Sequence, residues 1–309
     1  MTRVSCGNLI SAMQEDAIRR RLETLNRGPL PARSSATVAN TSKKKRTRPV
    51  LSATPRCSVV PPIPGLVRRG EVVATEAGEH LRIRLHLEAL WPGGERLVRL
   101  RHANLAKRRP AQPAPQIDQA PDPQHELDEL LAGFPSNLLL LDLETCGLSG
   151  SALFLIGLLR QIDGRLTIEL LLARNYAEER AVLTSFWQAI GQHQVLVTFN
   201  GKSFDWPMLM DRTARHLLLR HTRPPDLLHV DLLHHSRRRW RQQLPDCKLQ
   251  TLERHICRRG RSDDIPGGQI PAAYQEFVRT GHQREMDAIL LHNGLDLVTL
   301  LDLAIRLAA

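Results

Sequence analysis

Residues 138–160, LLLLDLETCGLSGSALFLIGLLR, form an apolar run that two acids interrupt and that then resumes. Nothing else in the chain restricts the fold as much. The run reads as a core strand, and a strand sends alternate side chains to the same face. Asp142 and Glu144 therefore point together from one face, and Leu141 and Leu143 from the other. Neighbouring carboxylates repel one another and are costly to bury without a positive partner, and a hard divalent cation bound through oxygen supplies one. The stretch predicts a magnesium site on a buried strand.

The charge divides the chain. Of its 309 residues, positions 1–125 hold 22 basic and 10 acidic residues, against 21 and 22 in positions 126–309. The formal excess of +11 thus lies in the N-terminal part. Residues 1–64 read as a basic, mostly disordered arm, with one short amphipathic helix over 11–26. From residue 27 onward, Pro, Ser, Thr, Lys and Arg, including Lys43, Lys44, Lys45 and Arg46, leave too little apolar periodicity to offset the cost of ordering. Such an arm is either a polyanion-binding segment, for nucleic acid first, or a solubilising tail. The five cysteines are scattered without CxxC spacing, which excludes a disulfide framework and a zinc knuckle and fits a cytoplasmic protein. No signal peptide is recognisable, and charge interrupts the longest apolar runs, so no membrane segment is expected.

Residues 65–106 read as a small β element of three strands, EVVATEAG, HLRIRLHLEAL and ERLVRLRHANL, with Pro92-Gly93-Gly94 as one turn. Three short strands make little core, so this piece is expected to pack on the larger C-terminal domain. Residues 107–125 are a proline-rich linker. From 126 to 309 the pattern predicts strands over 138–143, 152–159 and 166–173, with Asp163-Gly164 as a turn. A helix over 178–192 and a strand over 195–199 come next. Then come a helix over 203–215 capped by Ser203, a strand over 227–232, and helices over 233–242, 249–258, 271–280 and 284–307. The class is α/β, a mixed five-stranded sheet flanked by helices.

Two further segments carry acids that need a reason. Asp205, in FNGKSFDWPML, falls in the first turn of a helix, where the dipole alone favours it. His292 and Asp296, in HNGLD, share one helical face. Asp142, Glu144, Asp205 and Asp296 with His292 are the set that two-metal phosphodiester hydrolysis needs. Two magnesium ions roughly 4 Å apart activate water and stabilise the transition state, and a histidine takes the proton.

These segments, DLETCGL, FNGKSFDWPML and HNGLD, supported by HVDLLHHSRRRW and KLQTLERHI in the same order, resemble the DEDD exonucleases of the ribonuclease-H-like fold. Among those, the resemblance is to the YprB-like predicted exonuclease domains, themselves similar to the proofreading domain of family B DNA polymerases. It implies a metal-dependent 3'-5' exonuclease acting on DNA or RNA, with two Mg2+ or alternatively Mn2+. It implies metal ligands at Asp142, Glu144, Asp205 and Asp296, and substrate contacts at Thr145, Asn200 and Lys202, Asn200 and Gly201 also shaping the turn before Asp205. The resemblance has one departure: subclasses with a catalytic histidine place it five residues before the last aspartate, and those with tyrosine place it four before. Here His292 stands four before Asp296.

Other readings of the sequence remain open. The chain is alternatively a nucleic-acid-binding or partner-recruiting protein of the same fold with little turnover, or a metal-free scaffold. His229, Asp231, His234 and His235 form a second candidate cluster, set against local capping and surface exposure. Arg237, Arg238, Arg239 and Arg241 form a basic helix end suited to phosphates. The loop 263–268, DDIPGG, has no chemical role assigned.

Overall fold

The computed structural model describes residues 58–60, 63–108, 123–147, 151–191, 193–219, 224–262 and 264–309. Most of the expected arm, its helix over 11–26 and most of the linker lie outside the described residues.

Nine strands are described: β1 (Ser58–Val60), β2 (Glu71–Thr75), β3 (Gly78–His86), β4 (Leu138–Thr145), β5 (Leu153–Ile162), β6 (Arg165–Leu172), β7 (Val195–Thr198), β8 (Leu228–Asp231) and β9 (Arg259–Arg261). The helices are α1 (Leu87–Leu90), α2 (Gly94–Arg108), α3 (Pro123–Gly133), α4 (Glu179–Ile190), α5 (Asp205–Arg215), α6 (Leu232–Trp240), α7 (Leu249–Leu252), α8 (Ile270–Thr280) and α9 (Arg284–Leu307). Seven strands form one mixed sheet in the order β2-β3-β6-β5-β4-β7-β8, and β1 pairs in parallel with β9. The β2–β3, β3–β6, β6–β5 and β5–β4 pairs are antiparallel, whereas β4, β7 and β8 run parallel.

The sheet has two strands more than the expected five. The expected small β element supplies them: β3 pairs with β6 and carries β2 on its outer edge. The third strand expected there is the helix α2. Its residues are mostly good helix formers, and Arg99 binds Glu95 one turn away at 2.8 Å. The apolar positions that suggested alternation also suit a helix of which only Gly94 and Val98 are buried.

The core lies on both faces of the central strands. Residues 153–159 of β5 are all buried, so both faces are dry. The helices α9 and α4 both pack on β5 and β6 without being neighbours, which places them on opposite faces. At 24 residues and a mean hydropathy of 1.6, α9 is long and apolar enough to cross a membrane, but it is buried within this fold as its core helix. Asp163 and Gly164, both in the left-handed region (φ 49° and 77°), form the expected tight turn between β5 and β6. The expected cap Ser203 is not used: α5 starts at Asp205 after Phe204, with no side-chain cap.

Candidate active site

Asp142 and Glu144 lie on β4, both partly exposed, flanked by the buried Leu141, Leu143 and Thr145. In the antiparallel pair Asp142 faces Gly157 of β5. A Cβ at Gly157 would stand 1.7 Å from Oδ1 of Asn293, so only glycine admits α9 this close. Through that gap the fully buried Asn293 donates from Nδ2 to Asp142 Oδ2 at 2.7 Å. The β4–β5 register shifts just after Glu144, and the Thr145 hydroxyl donates to the Gly147 carbonyl at 2.7 Å.

Asp205 is brought in by the turn after β7. Asn200 takes a left-handed conformation (φ 66°), and Gly201 approaches so closely that a Cβ would meet Thr198 Oγ1 at 2.3 Å. Asp231, at the end of β8, accepts from the Asn200, Lys202 and Leu233 amides, tying the turn to the first turn of α6. The Asp205 carboxyl is buried, and the backbone amides of Asp205 itself and of Leu143 on β4 act on it to oppose the effect of that burial.

His292 and Asp296 enter from α9. His292 Nδ1 donates to Asp264 Oδ1 at 2.7 Å, and its Nε2 lies 3.4 Å from Asp296 Oδ2. Asp296 Oδ1 accepts from Arg261, whose Nε donates to Glu253 Oε2 at 2.7 Å.

The electrostatics record this convergence. Burial pushes Asp142 well above the usual carboxylate range, and the charges of Asp296, Glu144 and Asp205 push it further. Glu144 is pushed up to about 8 by burial, with Asp296 and Asp205 adding to the rise and His292 opposing it. Asp205 reaches about 7 through burial, helped by Asp231 and Asp296 against its two backbone hydrogen bonds. Burial works against a charged His292, but the bond to Asp264 and the charges of Asp296 and Glu144 outweigh it and raise the imidazole to about 9.

All five expected residues, Asp142, Glu144, Asp205, His292 and Asp296, are thus brought together from three segments. The expected substrate residues differ. Thr145 lines a cleft of about 270 Å³ with Glu144, Phe204, Ile270 and Pro271. Asn200 is committed to the turn. Lys202 turns aside to Glu126 at 3.0 Å instead of standing free for phosphate. The second candidate cluster does not converge: His229 is 2.8 Å from Thr198 Oγ1, Asp231 holds the turn, His235 bonds Glu126 at 2.8 Å and His234 is exposed.

Asn293, Arg261 and Glu253 were not anticipated, and Asp264 was noted without a role. A faint signal existed for Arg261, since Arg259 and Arg261 are two apart and a strand turns both to one side. Asn293 gave none, being one polar residue within an apolar helix. Among the described residues no three His, Cys, Asp or Glu side chains are arranged to hold a metal ion as they stand. The donors are nevertheless all oxygen and mutually repelling, the chemistry that a hard divalent cation relieves.

The sequence model of the RNase_H superfamily matches residues 139–308, more than half of the chain, and the chain belongs to that superfamily. It is 34% identical over 178 residues to the uncharacterized protein YprB of Bacillus subtilis (strain 168), covering 56% of this chain and 42% of that protein. The chain therefore spans less than half the length of that relative. Among solved structures it is similar to the family B DNA polymerase from the hyperthermophilic archaeon Pyrobaculum calidifontis, at 20% identity and a TM-score of 0.45, over 56% of this chain and 24% of that one.

Proposed function

We propose that the chain is a metal-dependent 3'-5' exonuclease that hydrolyses phosphodiester bonds of DNA or RNA. The observation that carries this reading is the convergence of Asp142, Glu144, Asp205 and Asp296, each perturbing or perturbed by the others' charge. Perturbed carboxylates that act on one another, with Glu144 opening onto a cleft, favour a functional site. The four carboxylates would hold two Mg2+, or Mn2+ in their place, which supply Lewis-acid stabilisation of the phosphoryl group and a more acidic water.

The chain's own residues do the rest. Asn293 fixes the Asp142 rotamer and Asp264 holds His292 Nδ1, leaving Nε2 directed at the acids. His292 holds a proton at neutral pH while the acids around it are uncompensated. The bond to Asp264 is the largest cause of its rise and the charges of Asp296 and Glu144 follow, so service as a base requires both influences to be offset. Phe204, 38% exposed at the cleft, offers a ring face for an unpaired base. The 3'-5' direction rests on the resemblance of the DLETCGL, FNGKSFDWPML and HNGLD segments.

The test is digestion of 5'-end-labelled single-stranded and duplex DNA and RNA with Mg2+ or Mn2+. Stepwise shortening from the 3' end is expected. Asp142→Ala should lose at least about 100-fold of the rate, given the several kcal/mol that such ions contribute. No shortening of any substrate with either ion would defeat the proposal, and binding without cleavage would favour the recruiting protein of little turnover.

A further inference from the structure

Arg261 and Lys202 both belong to segments around the acids, yet they are held differently. Arg261, 5% exposed, is gripped by Glu253 at 2.7 Å, by Asp264 at 3.5 Å and by Asp296, which keeps it inside the fold. Lys202 stands three residues before Asp205 with its side chain 38% exposed. Among the described residues its ammonium is paired with Glu126 Oε1 alone, at 3.0 Å. An ion pair that open to water is weak and readily exchanged.

Each partner keeps other support when the pair opens. Glu126, in the first turn of α3, also accepts from Nε2 of the buried His235 at 2.8 Å. Arg238 donates to His235 Nδ1 at 3.1 Å, so the ring proton sits on Nε2 and faces Glu126. Burial favours a neutral Glu126, but His235 and Lys202 outweigh it and lower the group to about 2, so the carboxylate is charged at neutral pH. The backbone of Lys202 is fixed separately: its amide donates to Asp231 Oδ2 at 3.2 Å, beside the Asn200 amide on Oδ1 at 2.8 Å. The side chain is therefore free to swing while the turn that delivers Asp205 stays in place. Three residues span at most about 11 Å, which puts a phosphate bound beside Asp205 within reach of the released ammonium.

We propose that Glu126 is an internal competitor for Lys202: it holds the ammonium aside in the free protein, and Lys202 passes to a phosphate of the nucleic-acid strand when that strand binds. Substrate affinity is then set in part by α3, which carries none of the site acids. The inference rests on the nuclease reading above and adds to it a restraint on substrate binding.

Fluorescence anisotropy of the full chain with labelled single-stranded phosphorothioate DNA and RNA, which resist hydrolysis, tests it in the presence of Mg2+. Glu126→Gln preserves the acceptor for His235 and releases Lys202, so it should bind the strand about 2- to 5-fold more tightly than the wild type. Lys202→Met should bind more weakly, with a slope of log affinity against log salt shallower by about 0.7. Removing any acid near a polyanion site also attracts the strand nonspecifically, so the deciding measurement is the double variant. There the gain from Glu126→Gln should disappear, because no lysine is left to release. A gain that persists beside Lys202→Met, or a Glu126→Gln variant that binds no more tightly than the wild type, would overturn the competition. Lys202→Met with unchanged affinity and slope would overturn it too, and in each of these cases the nuclease reading stands. If the wild type binds no strand of either kind, the nuclease reading fails and the competition falls with it.

Discussion

The sheet buries two kinds of acid, and their treatment differs. Glu169 on β6 and Glu179 at the start of α4 are both about 2% exposed, and each is paired with at least two basic side chains. Glu169 is bound by Arg84 at 2.9 Å and Arg160 at 2.8 Å, and Glu179 by Arg212 at 2.6 Å and His216 at 3.0 Å. Burial alone would raise both, yet these partners hold both below the usual range. Asp142, Glu144 and Asp205 lie on the same sheet or against it and are raised. A fold that supplies arginine to its structural carboxylates and withholds it from three others makes ionisation of those three costly unless something else balances it. They also lie where the parallel strands β4 and β7 end, whereas Glu169 lies in the antiparallel part, where neighbouring strands return directly.

The largest effect expected from this contrast is on stability. Glu179→Ala removes the carboxylate that pairs with Arg212 and His216 and accepts from the Leu153 amide at 2.8 Å. Breaking one partner of a buried pair costs about 3–5 kcal/mol, which thermal unfolding should register as a fall of roughly 10 °C. Asp205→Asn, measured in chelator, should leave the melting temperature unchanged or raise it by a few degrees. If the two variants destabilise equally, the contrast between supported and unsupported acids is wrong.

The pH dependence sharpens the same contrast. Glu126, held by His235 and Lys202 against the effect of burial, is lowered to about 2. Its stabilisation is complete above its unfolded value near 4.5 and is lost as pH falls toward 2. Glu144 and Asp205 act oppositely. Their folded values of about 8 and 7 exceed the unfolded 4.5 and 3.8, so the folded state binds their protons more tightly. Stability therefore declines as pH rises from about 4 to 8. In chelator the melting temperature should fall by about 5 °C or more between pH 5 and pH 8, and excess Mn2+ should abolish most of that decline. A flat profile in chelator would show that the three acids are already compensated.

Much of this was legible in the sequence, for reasons that mark its limits. The strands and helices from 138 onward were readable because leucine-rich runs and helical spacing repeat over several turns, and Asp142 and Glu144 stood out because they break such a run. Asp205, His292 and Asp296 were recognisable as a set only through the resemblance, since each alone passes for a first-turn acid or a surface pair. What the sequence withheld were contacts between distant segments. Gly157 opposite Asp142, Asn293 in the gap it leaves, and Arg261 against Asp296 depend on register and on the placement of α9, which no local pattern encodes. The residues of α2 failed as an expected strand because short alternating stretches fit either period when one side is exposed.

The smallest effect concerns the basic run of the N-terminal part. Arg84 and Arg160 on the sheet and Arg212 on α5 are spent on glutamates, so they are not free for a polyanion. The run Lys43, Lys44, Lys45 and Arg46 precedes β1, whose pairing with β9 anchors the chain near the strand that carries Arg261. Deleting residues 1–57 keeps β1 and removes this run. If the run contacts phosphates, the slope of log affinity for single-stranded nucleic acid against log salt should become shallower by up to about 3, near 0.7 for each of four lost contacts. Fluorescence anisotropy across a salt series measures this slope directly. The deletion should leave the melting temperature within about 2 °C, because the partners described for Glu126, Glu169 and Glu179 all lie beyond residue 57. An unchanged slope would make the arm a solubilising tail and would leave substrate affinity to the exposed arginines at the end of α6.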